Sequence, residues 1–405
     1  MLLLFLISVS FLLVISFIKK INLVSIYGFF VLFSILYNLV PALNALYGVT
    51  LFSLSSDLEL INIQLLVVSM SNFAFGIMYY KFYKNVLYKD IVDDKPAGKK
   101  SFLILCVVIF AVTLPLVSNY GWHKFTNSGE ILEGGAWFTI ASYMKYLFVS
   151  CYLYYLYKFG MNKGAVFLMV LHTIVMIIDG ARTTYLPLFV LTLIILHSKS
   201  IKNKKSQKSI YVYIVVCVVL LLVTRALIMS ADETLLFNML MSLTIEACAG
   251  SYMSLQTIHA VINEYNLSFT FGTTYLIDTF AWFIPQGDLR DGLLTYNAWI
   301  EKLSPVLNEK FAPMGGFYYI AEAMAFIPYV GPVIITLLFA LVSIWIELNK
   351  NRYRLLYLSY FATFGLLFSK AIFGNIMKLF VVQMFFLGLF LLIERTKKNL
   401  IIMAK

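Results

Sequence analysis

Charge is what this sequence has least of. Only 13% of its 405 residues are Asp, Glu, Lys or Arg, well below the roughly one-quarter of a soluble globular domain. With 61% hydrophobic residues, water is not its main solvent. Cysteine is scarce as well. Cys106, Cys151, Cys217 and Cys248 stand singly, without a C-x-x-C pair or zinc-ligand spacing, and read as small buried hydrophobes. The histidines His123, His172, His197 and His259 form no H-E-x-x-H or other metal pattern. A G-x-x-x-x-G-K-[ST] nucleotide loop and a G-x-S-x-G nucleophile elbow are both missing. The sequence therefore calls for no metal and no nucleotide cofactor. An internal repeat of the inverted kind found in many secondary transporters is also lacking.

What the chain has instead is long apolar runs separated by lysines. Between Ile21 and Tyr80 no Lys or Arg occurs, and then Lys81 to Lys100 gathers six lysines. A run of about 20 apolar residues spans a bilayer as one helix, because its backbone must be satisfied internally where no water exists. Lysine-rich loops stay on the cytoplasmic side. The net charge of +11 is thus explained by membrane orientation, without a nucleic-acid partner. The partner implied is the lipid bilayer.

The runs Leu2–Ile18 and Asn22–Val40 form a hairpin around Lys19 and Lys20, and Ile61–Tyr80 returns to the Lys81–Lys100 loop. This puts the N-terminus outside. The first run starts at Met1 without a basic region or a small-residue cleavage site, so it reads as a span and not as a removable signal peptide. Further spans are expected near Phe102–Ser118, Ala136–Tyr157, Gly164–Ile178, Thr183–His197 and Ile210–Ser230. Residues 231–319 form one large extracytoplasmic loop, with nine acids against Arg290, Lys302 and Lys310. Within it, Thr234–Asn263 has helical periodicity and fits an interfacial or re-entrant helix. From Ile320 the chain re-enters towards the basic Lys350–Arg354 loop, and a last hairpin, Leu355–Asn375 and Ile376–Ile393, ends at Arg395, Lys397 and Lys398. The expected architecture is all-α: a single polytopic membrane domain over residues 1–405 with about eleven transmembrane helices and a cytoplasmic C-terminus.

Several basic residues break the orientation rule. Lys145, Arg182, Arg225, Lys370 and Lys378 fall in the outer half or at the outer end of expected spans, and Arg290 lies in the outer loop. An intramembrane cation is expensive and needs a partner or a task. Together these residues suit a diphosphate, whose oxygens match the bidentate guanidinium fork. The bland readings stand beside this one. Arg182 can pair with Asp179 at i,i+3 spacing, and Lys370 and Lys378 can snorkel to headgroups.

Acidic candidates are Glu322, Asp288, Asp291, Glu246 and Asp179. A carboxylate that activates a sugar hydroxyl works best in a partly desolvated place. Glu322 meets that condition, because it follows the Gly315-Gly316 turn and begins a span. Asp288 and Asp291 flank Arg290 in what is equally a solvated turn. His259 is a further acid/base candidate on the outer side. Aromatic residues of the loop, including Trp282, Tyr296 and Trp299, suit either sugar stacking or the interfacial belt.

Two short segments carry a family resemblance. Gly180-Ala181-Arg182-Thr183-Thr184 is similar to a Gly-x-Arg turn leading into an apolar helix. Gly315-Gly316-Phe317-Tyr318-Tyr319-Ile320-Ala321-Glu322, continuing to Gly331, is similar to a Glu-containing segment that enters a span through a Gly-x-x-Gly turn, with Pro328 here in place of the first glycine. With the many spans and the large outer loop, the chain resembles the bacterial O-antigen or oligosaccharide repeat-unit polymerases (Wzy type). The resemblance implies a fold similar to GT-C glycosyltransferases in the bacterial inner membrane. It further implies joining of repeat units carried on undecaprenyl diphosphate, with a flippase and a chain-length regulator as pathway partners. By that analogy Arg182 and Arg290 hold the donor diphosphate, supported by Arg225, Lys145 and Lys370, while Glu322, Asp288 or His259 assists the acceptor hydroxyl. An O-antigen ligase-like glycosyltransferase and a flippase of the same lipid-linked units are the competing expectations.

Overall fold

The structure, a computed structural model, describes residues 1–21, 25–47, 58–86, 98–126, 136–179, 273–281, 318–365, 367–369 and 373–403. All regular structure among them is helical. In chain order the helices are α1 (Leu2–Ile18), α2 (Ile26–Tyr47), α3 (Leu58–Phe82), α4 (Lys99–Thr126), α5 (Ala136–Phe159), α6 (Lys163–Asp179), α7 (Thr273–Ala281), α8 (Tyr319–Phe326), α9 (Gly331–Leu348), α10 (Arg354–Tyr360) and α11 (Phe373–Met403). Among the described residues, five helical segments are long and apolar enough to cross a membrane: Ile26–Tyr47, Leu58–Phe82, Lys99–Val117, Gly331–Leu348 and Ile376–Thr396. Leu2–Ile18 and Lys163–Val175 are apolar but shorter. The chain is a helical protein with membrane-spanning character. Its expected spans at 183–197 and 210–230, and the periodic segment 234–263, lie outside the described residues.

The chain divides into two compact units. The first contains α1, α2, α3, α8, α9 and the start of α11. Here α1 packs along α3, and Gly76 makes that approach possible. A Cβ on Gly76 would meet Phe11 at 2.7 Å and Ile15 at 2.9 Å. Small residues at such points let apolar helices pack closely where lipid supplies no hydrophobic force between them. Lys20 closes α1 in the left-handed conformation, φ 51°, and its carbonyl accepts a 2.9 Å hydrogen bond from Asn85 Nδ2 beyond the end of α3. Helices α1 and α3 therefore run parallel, and their lysine-bearing ends lie together. Lys19 Nζ, 4.9 Å from the centroid of the Tyr80 ring, makes the same link. Aromatic rings fill the interior: Phe30 stacks on Phe75 at 3.9 Å, and Phe339 on Phe368 at 3.7 Å.

The second unit contains α4, α5, α6, α10 and most of α11. Asn162 joins α5 to α6: its Oδ1 accepts from the Gly164 N–H and from the Tyr155 hydroxyl, each at 2.9 Å. A side-chain oxygen in this place satisfies backbone donors that a helix start leaves open. Glu394 on α11 forms a 2.6 Å ion pair with Lys158 on α5 and accepts from the Tyr154 hydroxyl. In the most apolar 18 residues of Lys99–Val117 and of Ile376–Thr396, only 22% and 17% are buried. Apolar exposure on this scale is a liability in water and is what a lipid-facing helix presents.

Three departures from the sequence expectations have physical causes. The re-entry expected from Ile320 is made by two helices, α8 and α9, and not by one run. Pro328 biases its predecessor away from the helical region, and Ile327 is extended at φ −145°, ψ 117°. Tyr329 then turns through φ 63°. The first arm of the expected last hairpin, Leu355–Asn375, is also irregular, since α10 ends after seven residues and gives way to a π-helical turn at Phe361–Gly365. Finally, α7 is a helix within the expected outer loop, residues 231–319. It is too short to span.

Candidate functional site

Helix α8 is the most unusual element of the first unit. An eight-residue helix is marginal by itself in water, yet every residue from Tyr319 to Ala325 is buried. Its position is set by neighbours. At its start the Tyr319 hydroxyl shares a 2.9 Å hydrogen bond with Thr336 on α9, and the Tyr319 N–H reaches the Ser369 carbonyl at 3.4 Å. At its end, Gly331 seats against the Ala323 carbonyl so tightly that no Cβ fits. The Gly331 N–H donates to the Ile327 carbonyl at 2.7 Å. The turn expected around Gly331 therefore exists with Pro328 in it.

Glu322 sits one turn into α8. Its side chain is 2% exposed, and its Oε2 accepts a 3.0 Å hydrogen bond from the Phe373 N–H, the first residue of α11. A helix N-terminus carries partial positive charge and open N–H groups, so it complements a carboxylate. The expected desolvation of Glu322 is present. Its contact with α11 gives it an anchoring task that the sequence did not foretell, because the two residues are 51 positions apart.

A polar network runs from α8 into the centre of the first unit. Tyr318, which precedes α8, accepts from Asn38 Nδ2 at 3.2 Å. The same amide group donates to the Ser34 carbonyl at 2.8 Å, and Asn38 Oδ1 accepts from Gln64 Nε2 at 2.9 Å. One turn away, the Ser34 hydroxyl donates to Asn72 Oδ1 at 2.9 Å, and Asn72 Nδ2 donates to the Ser8 hydroxyl at 3.1 Å. Each of these side chains is buried. A buried polar group is costly when left unpaired and specifies a unique packing when paired. Sequence reading missed these residues. The only signal was an isolated amide in each of several apolar runs.

The other expected site residues are dispersed or undescribed. Lys145 is half-buried on α5 in the second unit. The second unit also holds the buried His172, whose ring stacks on Phe148 at 5.9 Å with 4° between planes. Lys378 is half-buried on α11, and Asp179 is the last residue of α6. Arg182, Arg225, Arg290, Lys370, Asp288, Asp291, Glu246 and His259 lie outside the described residues. Among the described residues no cluster of His, Cys, Asp and Glu has the makings of a metal site. No protein-family model matches the chain, and no curated protein or solved structure matches it either.

Proposed function

We propose that this protein is an oligosaccharide repeat-unit polymerase of the bacterial inner membrane, with GT-C-like architecture and about eleven spans. The observation that carries the reading is a carboxylate, Glu322, held 2% exposed on a broken segment among apolar helices. The motif resemblance around Arg182 and Glu322 supplies the chemistry. The acceptor sugar hydroxyl attacks the anomeric carbon of the growing glycan, its proton passes to Glu322, and the glycosyl–phosphate C–O bond breaks. The electron pair leaves on the undecaprenyl diphosphate. Arg182 and Arg290 meet the charge that grows there, which stabilises the transition state more than the ground state.

Replacing Arg182 by Ala, and separately by Lys, tests the diphosphate role in cells that depend on this gene. Loss of a donor aimed at developing charge lowers turnover roughly 10²- to 10³-fold, so long glycans vanish from gels. Lys restores little, because a point charge lacks the bidentate fork. Undiminished long chains from well-expressed variants would remove the proposal. Gene deletion separates polymerase from ligase: single repeat units remain attached to lipid A core in the first case and none in the second. Lengthening by purified protein in detergent, without a membrane gradient, excludes pure transport.

A further inference from the structure

Helix α8 cannot place Glu322 by itself, and one of the tethers at its start, the Tyr318 hydroxyl, leads to Asn38. Asn38 is the point at which three elements meet. Its amide nitrogen reaches Tyr318 at 3.2 Å and the Ser34 carbonyl at 2.8 Å, and its amide oxygen takes the Gln64 bond at 2.9 Å. Asn38 and Gln64 are fully buried. We infer that Asn38, 280 positions from Tyr318 in sequence, is the positioning residue that sets where α8 holds Glu322 relative to the N-terminus of α11. This deepens the polymerase reading and rests on it only for what Glu322 does.

The physical argument concerns donor and acceptor count. Tyr318 is the last residue before α8, extended at φ −134°, ψ 129°, and its ring lies 5.1 Å from that of Tyr37. A second tether, the Tyr319 hydroxyl on Thr336, runs to α9. The Asn38 bond therefore ties the same turn to α2, and through Gln64 to α3. With Ala at position 38, the Gln64 amide and the Tyr318 hydroxyl each lose a partner in an apolar interior, and the cheapest relief is a shift of α8. A displacement near 1 Å at a catalytic group lowers turnover by about 10²-fold. Nothing in the apolar runs around Asn38 announces such a role.

The test has a geometric arm and an activity arm, both on full-length protein in detergent. For geometry, the native cysteines are replaced by Ser, Ala325→Cys, one helical turn from Glu322 on the same face, and Phe373→Cys are introduced, and a short bifunctional maleimide reads their proximity with Glu322 in place. Asn38→Ala lowers cross-linking with a modest fall in the thermal midpoint, and the milder Tyr318→Phe lowers it while the midpoint holds. The double variant is no worse than Asn38→Ala alone, since Tyr318→Phe cuts a bond that Asn38→Ala has already removed. Unchanged cross-linking overturns the inference, and so does a loss that appears only with collapse of the midpoint. For activity, the probe is the lipid-linked oligosaccharide fraction extracted from native membranes. Asn38→Ala then lowers kcat with KM unchanged, whereas wild-type kcat in that variant overturns the positioning role. A wild-type protein that lengthens nothing sinks the polymerase reading, and the cross-link still decides the geometry.

Discussion

At the scale of single residues, Glu322 has an anchoring task and a proposed catalytic one, and one substitution can separate them. As the partner of the Phe373 N–H it needs only an oxygen acceptor, 3.0 Å away. As a general base it needs an ionisable carboxylate. Glu322→Gln keeps an acceptor of nearly the same shape and removes the base. A positioned base contributes roughly 10²- to 10⁴-fold, so glycan lengthening falls by that factor while the thermal midpoint in detergent stays near wild type. Glu322→Ala removes both, and the orphaned N–H adds a destabilisation of about 1–3 kcal/mol. If Gln at 322 supports full lengthening, the carboxylate is an anchor alone. His259 or Asp288 would then be the next residues to replace.

Elements show where the sequence was legible. Leu2–Ile18 stands as an apolar run and as α1 with the same bounds, and α3, α5 and α6 differ from their runs by a few residues at most. Run length and flanking lysines suffice there, because a helix in lipid satisfies its own backbone. The break between α8 and α9 does not show in hydropathy, and its one signal was the turn at Gly331, with Pro328 in it, that the family resemblance implied. Hydropathy reads smoothly through Ile327-Pro328-Tyr329-Val330, and only backbone geometry shows the extended residue and the left-handed one. Nor were Asn38, Gln64 and Asn72 legible as a network, since the pairing depends on which helix faces which. The break yields its own expectation. Gly331→Ala forces a methyl into the Ala323 carbonyl, so the turn must open, at a cost of about 1–3 kcal/mol typical of overpacking. A lowered thermal midpoint with reduced lengthening is expected, and an unaltered midpoint would show that the turn has room.

For the whole molecule, the question is which way its ends face. In the first unit, the bond from Asn85 to the Lys20 carbonyl brings the ends of α1 and α3 together, and Lys19, Lys20, Lys81 and Lys84 gather with them. In the second unit, Phe102 near the start of α4 lies 6.1 Å from Phe159 at the end of α5, and Arg354 donates to the Tyr157 carbonyl at 3.3 Å. Lys99, Lys100, Lys158 and Arg354 therefore share one end of that unit. Each unit, taken alone, collects these described basic residues at one end, as the positive-inside rule requires of a cytoplasmic face. With the native cysteines replaced by Ser, the exposed positions Lys84 and Arg352 and the opposite end at Tyr47 report this through single Cys substitutions and a membrane-impermeant maleimide. Position 47 is expected to label in intact spheroplasts, and positions 84 and 352 only in inverted vesicles. Labelling of 84 or 352 from outside would turn that unit over. The outer chemistry proposed for Arg182 would then have to move to the cytoplasmic side, and the polymerase reading would fall with it.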